Sequence, residues 1–333
     1  MNSISFIAII GILYLLSISL WKKKYVPFTI EQSNSFKGIL SILIVLSHLN
    51  FHAEMPLFLT ITKWAGTKVA LFFFISGYGL MASYRKKEQS YLQGFLGKRL
   101  WKIVLPLLVI TFFFLFTQFL DKGIFNLEIF QNLWIGLTPL PYSWFAYIIL
   151  IFYLVFFVVF STKWSLIIKI ISMFSISLII SALLYQKGFD RAWWVSNLAF
   201  PFGMLFQAQE SRLIGWSRTK FGNILFVPIS LGLAFIFAFF KIEFLYIFSY
   251  VFIVLAVVIL LSYSGLPKGS IFNFLGKISY ETYLIHGVLY FILRGNHIFI
   301  QNNWLYLGVS ILSTIFLATL FHKLFNYIYT LKK

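Results

Sequence analysis

Long apolar runs recur from one end of the chain to the other, broken only by short polar segments. A helix of about 20 apolar residues spans a ~30 Å hydrocarbon core, so these runs are predicted to be transmembrane helices. The short alternating strands of an outer-membrane barrel do not fit runs this long. Charge agrees. Only 11% of the residues are Asp, Glu, Lys or Arg and 60% are hydrophobic, whereas soluble domains carry about 25% charged residues. The chain is therefore read as one all-α, polytopic membrane helical bundle.

Where the charges fall sets the topology. A formal net charge of +18 invites a nucleic-acid partner. The lysines and arginines, however, stand in short clusters between apolar spans, the positive-inside pattern, which also suits anionic lipid headgroups. The lipid bilayer is the expected partner, and no nucleic acid is. Ile4–Trp21 is followed, not preceded, by Lys22–Lys24, the reverse of a secretory signal, and is read as a first span with its N-terminus outside. The further spans are Phe36–Phe51, Val69–Tyr84, Ile103–Leu120, Tyr142–Phe160 and Ser165–Tyr185. Trp193–Ala208 follows, with a kink expected at Pro201, and then Gly222–Phe240, Phe244–Tyr263, Ser279–Arg294 and Trp304–Tyr327. Met55–Lys68 is placed outside. The result is about eleven transmembrane helices, N-terminus outside and C-terminus cytoplasmic, with most of the 27 basic residues on the inner side. Residues 1–24 are read as an extra N-terminal helix and 25–333 as a single membrane domain with no soluble domain appended. Absence of cysteine excludes disulfides, thiolate nucleophiles and cysteine metal sites.

One span carries a polar seam. In FKGILSILIVLSHLNF, Phe36–Phe51, Lys37 and His48 stand eleven residues apart, which returns both to one helical face about 16 Å apart along the axis. Ser41 and His52 fall on the same face. A cation at the rim and an imidazole near mid-membrane is an expensive arrangement, and ionisable groups at that depth face a bundle interior or a wet cavity. An imidazole taken out of water is favoured in its neutral form, able to accept a proton from a hydroxyl. The plainer reading of His48 is an interhelical hydrogen bond. His52 one turn on does not make a metal site, because only Glu54 is near as a further ligand. No metal is expected.

Three other stretches carry candidate chemistry. FLGKRLWKIVLP, Phe95–Pro106, places Lys98, Arg99 and Lys102 over one turn at the cytoplasmic mouth. They can grip phosphates, or serve only as topogenic charge with snorkelling side chains. LFFFISGYGL, Leu71–Leu80, puts Ser76, Gly77 and Tyr78 inside a span, where the small residues suit close helix packing and Gly77 can also leave room for a slender ligand. LGKISYETYLIH, Leu275–His286, aligns Ser279, Tyr283 and His286 on one helical face, with Tyr280 beside them and Glu281 on the other side. Lys277 and Glu281, four apart, can pair locally, which would make that carboxylate structural. His286 again lies near mid-membrane depth, either sharing a cavity with His48 or hydrogen-bonding to it.

Taken in this order, the four stretches resemble the acyltransferase-3 family of integral membrane acyltransferases, in which a basic residue, ten residues and a histidine occupy an early span, here Lys37 and His48. Phe73–Tyr78 resembles the family's phenylalanine-rich serine-glycine stretch, Arg99–Lys102 with Pro106 its basic element, and Leu275–His286 its C-terminal pattern. The resemblance implies transfer of an acyl group, most often acetyl, from cytoplasmic acyl-CoA to a hydroxyl of a cell-surface or lipid-linked glycan at a bacterial plasma membrane. It implies a catalytic role for His48 and a donor path along Lys37, Arg99 and Lys102. To these the residue reading adds His286 as a second catalytic candidate, Lys98 as a further donor-binding candidate, and a candidate substrate cavity at Ser76, Gly77, Tyr78, Tyr280 and Tyr283. Lys37 and Lys102 stand where arginine is common in the family, and lysine lacks the bidentate phosphate fork. The first span adds one to the usual ten. Two other functions fit a polar seam: a glycolipid transporter or flippase with histidine proton relays, and a non-catalytic subunit of glycan-assembly machinery.

Overall fold

The structure, a computed structural model, describes residues 29–53, 55, 62, 65–123, 128–217, 220–264 and 269–331. The expected first span and Lys22–Lys24 lie outside the described residues, as do Glu54 and Arg218. The helices are α1 Ile30–Ala53, α2 Ala65–Lys87, α3 Phe95–Lys122, α4 Trp144–Ser161, α5 Leu166–Gln186 and a single turn, α6, Ala192–Val195. They continue as α7 Ala199–Ser217, α8 Lys220–Phe239, α9 Tyr246–Ser264, α10 Ser270–Lys277, α11 Ser279–Ile292 and α12 Asn303–Leu331. Among the described residues there is no β-strand beyond an isolated bridge between Arg294 and Phe299.

Among the described residues, five segments are long and apolar enough to cross a membrane: Phe95–Lys122, Trp144–Ser161, Leu166–Gln186, Glu243–Leu261 and Asn303–Leu331. Their outer faces confirm the class. Val158, Ile167, Leu312 and Phe316 are each more than half exposed, on a scale that a monomeric soluble protein would not present to water. The fold is a helical membrane bundle.

Since lipid tails are as apolar as leucine, helices in a bilayer associate through tight packing rather than the hydrophobic effect. Glycine supplies that at two crossings. Gly77 of α2 and Gly203 of α7 face each other's helices so closely that a Cβ on either would run into the carbonyl of Phe200 or Phe74. At the crossing of α1 and α10, a Cβ on Gly276 would run into the Asn34 carbonyl. Between the crossings an aromatic column fills the core. Phe73 stands 4.7 Å from Phe145, Phe152 5.0 Å from Phe200, and Phe156 4.2 Å from Phe160, centroid to centroid.

Three expectations are corrected. Pro201 does not kink a continuous span: the chain breaks after Val195, and Pro201 falls in the first turn of α7, where its missing N–H leaves no helical bond unmade. Lys68 is not in an outer connection. It belongs to α2, is 6% exposed, and donates from Nζ to the Leu43 carbonyl at 3.3 Å and to the Ser47 hydroxyl of α1. Lys277 and Glu281 do not pair, because the helix breaks between them at Ile278 (φ −95°, ψ 7°) and spacing by four no longer means one face. Glu281, buried on α11, bonds instead to Nδ1 of His322 on α12 at 2.9 Å.

Candidate active site

Lys37, the first residue of the α1 seam, lines a cavity of about 410 Å³, within the range of small-molecule sites. Four cations line it: Lys37, Arg99 and Lys102, with Lys277 from the end of α10. No carboxylate is among the lining residues. The close α1–α10 crossing at Gly276, itself in the wall, is what brings Lys277 and Ser279 to the side of Lys37. Arg99 lies with Cζ 5.8 Å from the Tyr91 ring centroid, and Lys102 with Nζ 5.8 Å from that of Tyr329.

The rest of the lining is mainly apolar and hydroxylic. It includes Phe72 and Ser76 of α2, Ile149 and Tyr153 of α4, and Tyr280 of α11, which donates to the Ile103 carbonyl at 3.0 Å. Ile44, Phe145 and Tyr283 also line it. The arrangement suits a ligand with an anionic head and an apolar arm.

The histidines stand further along the same helices. His48 follows Ile44 by one turn of α1, and His286 follows Tyr283 by about one turn of α11, which is roughly 5 Å of rise. Neither histidine lines the cavity. Nδ1 of His48 is 2.8 Å from Nε2 of His286. The ring planes differ by 13° and the centroids are 5.0 Å apart, a separation that the bond and the two ring radii together account for. The imidazoles therefore meet edge to edge in one plane. His286 is fully buried, and its Nδ1 makes no hydrogen bond to another described residue.

Tyr142 closes this cluster, and sequence reasoning missed it. Its ring is stacked on His48 at 4.2 Å and 12° and reaches over His286 at 5.6 Å. Its hydroxyl is 2.8 Å from Nε2 of His52. Its carbonyl accepts from the Tyr283 hydroxyl, which in turn accepts from the Phe145 N–H at 3.1 Å. Buried Lys68, anchored one residue before His48, was also missed, since a lysine ahead of an apolar run reads as topogenic. The only sequence signal at Tyr142 is the pair of prolines, Pro139 and Pro141, which marks a rigid approach.

The remaining candidates lie elsewhere. Gly77 is spent on the α2–α7 crossing. Tyr78 donates to the Glu210 carboxylate of α7 at 2.9 Å and does not line the cavity. Lys98 is exposed and off the cavity, and the Ser41 hydroxyl turns back to the Gly38 carbonyl at 2.8 Å.

Against known proteins, a family model described as an acyltransferase domain matches residues 30–323. No curated protein and no solved structure matches. The match runs from the first residue of α1 into α12 and so takes in the cation-lined cavity and the histidine pair. This chain belongs to the acyltransferase-3 family of membrane acyltransferases.

Proposed function

We propose that the protein is a membrane O-acyltransferase, with acetyl-CoA as its donor, that acylates a hydroxyl of a cell-surface or lipid-linked glycan. The observation that carries the reading is the alignment of the two parts. A cavity headed by Lys37, Arg99, Lys102 and Lys277 reaches to within about one helical turn of the His48–His286 pair. The cations would hold the donor phosphates, and the apolar walls its pantetheine arm. On this reading the donor enters from the cytoplasm, the N-terminus lies outside and the C-terminus inside, in about eleven spans of a bacterial plasma membrane.

In this mechanism His286 carries its proton on Nδ1 and accepts at Nε2. His48 then donates from Nδ1, and the nitrogen that takes the acceptor's proton is its Nε2. As the glycan hydroxyl oxygen attacks the thioester carbonyl, its proton passes to Nε2 of His48. The C–S bond breaks, and the proton goes on to the leaving thiolate. An ester and free coenzyme A result.

Purified protein in proteoliposomes, given isotope-labelled acetyl-CoA and a glycan extract, tests this. Label appearing in glycan supports transfer. Glycolipid movement with no label transferred would favour a flippase and overturn it.

A further inference from the structure

We propose that Tyr142 is a positioning residue for acyl transfer, holding the His48 imidazole in the plane and orientation in which it takes the acceptor's proton. The proposal rests on the catalytic reading of His48. Three independent features meet at this one side chain. First, the phenol ring lies flat on His48 at 4.2 Å and extends over His286, so it covers one face of the bonded imidazole pair. Rotation of His48 about its ring axis, which would break the bond to His286, would have to displace it. Secondly, the ring is itself fixed at its tip and its backbone, by His52 on the hydroxyl and by Tyr283 on the carbonyl. Thirdly, the backbone is strained there: Tyr142 has φ +62°, a left-handed conformation that residues with a Cβ adopt rarely. Strain kept at a non-glycine position next to reactive groups is a recognised mark of function.

The neighbouring helix is shaped to admit the loop. A Cβ on Gly287 of α11 would press on Cδ2 of Tyr142 at 3.0 Å and on the Pro141 carbonyl oxygen at 3.1 Å. His286 and the residue that makes room for Tyr142 are thus consecutive. The ring gives shape and the hydroxyl a single neutral hydrogen bond, so the two contributions can be separated.

Three variants do so, assayed in proteoliposomes with labelled acetyl-CoA. Tyr142→Phe keeps the stack and loses only the bond to His52. Turnover should fall by no more than about tenfold, the worth of one neutral hydrogen bond. Tyr142→Leu removes the stack, and kcat should fall about 10²-fold, the usual cost of a displaced catalytic group, with the KM for acetyl-CoA unchanged. Tyr142→Gly relaxes the left-handed backbone while removing the ring. A merely structural turn residue would tolerate it, whereas the proposal expects the same loss of kcat as for Tyr142→Leu. Full turnover by Tyr142→Gly, beside an inactive His48→Gln, would overturn the role of Tyr142 and leave the catalytic reading standing. Unsubstituted protein that transfers no acetyl group would overturn both.

Discussion

His48 and His286, 238 positions apart in the chain, share a nearly planar hydrogen bond of 2.8 Å between Nδ1 and Nε2. A bond of that kind couples the tautomers of the two rings, because one nitrogen must donate and the other accept. Its loss is therefore expected to act on the reaction more than on the fold. His286→Gln retains an oxygen that can accept from His48 and should keep partial activity. His286→Leu removes the acceptor, leaves a buried donor unsatisfied at about 1–3 kcal/mol, and should lower kcat about 10²-fold. Steady-state turnover of the two variants, at equal folded protein, checks the order.

The cavity's cations predict a graded donor defect. Charge-assisted hydrogen bonds are worth about 1.5–3 kcal/mol, so Arg99→Ala and Lys277→Ala should each raise the KM for acetyl-CoA by tenfold or more. Arg99→Lys should also be impaired, through loss of the planar fork. Lys98→Ala, exposed and off the cavity, should leave KM unchanged. Equal effects at Lys98 and Arg99 would point to general surface charge instead of a site.

Orientation can be tested directly, because the chain has no cysteine. Ser90 and Asn302 are both exposed, one between α2 and α3 and the other just ahead of α12. Ser90→Cys is expected to react with a membrane-impermeant thiol reagent only from the inside, and Asn302→Cys only from the outside. The reverse pattern would put the donor cavity on the wrong face.

Helix crossing makes a stability prediction. Gly203→Ala drives a methyl group into the Phe74 carbonyl, and overpacking of this kind costs about 1–3 kcal/mol. Gly232→Ala, where a Cβ meets nothing within 4 Å, should be neutral or stabilising by about 0.4–1 kcal/mol. Thermal unfolding in detergent should separate them, with only the first lowered.

Much of the site was legible because helical periodicity is. Lys37, Ser76, Arg99, Lys102, Tyr280 and Tyr283 all line the cavity, and the depth estimate that put His286 level with His48 is met by a bond between them. What failed did so where periodicity stops. Lys277 was paired with Glu281 by a spacing that holds only within one helix, and the break at Ile278 sends it to the cavity wall. Tyr142 lies in a loop, where nothing in the sequence says which way a side chain turns. Gly77 and Tyr78 sit within a legible motif, but which helix face meets α7 and which meets the cavity depends on partners that one helix's pattern does not name.

In the proposed reaction His48 moves the proton. A general base contributes about 10²–10⁴ in rate, well above what a packing defect at a partly buried position would remove. His48→Gln keeps much of the volume and some hydrogen-bonding capacity but cannot accept a proton at neutral pH. The decisive measurement is turnover of purified, reconstituted His48→Gln with labelled acetyl-CoA, alongside donor binding by the same protein. Normal donor binding with transfer reduced by at least about 10²-fold is expected; near-normal transfer would rule out His48 as the base.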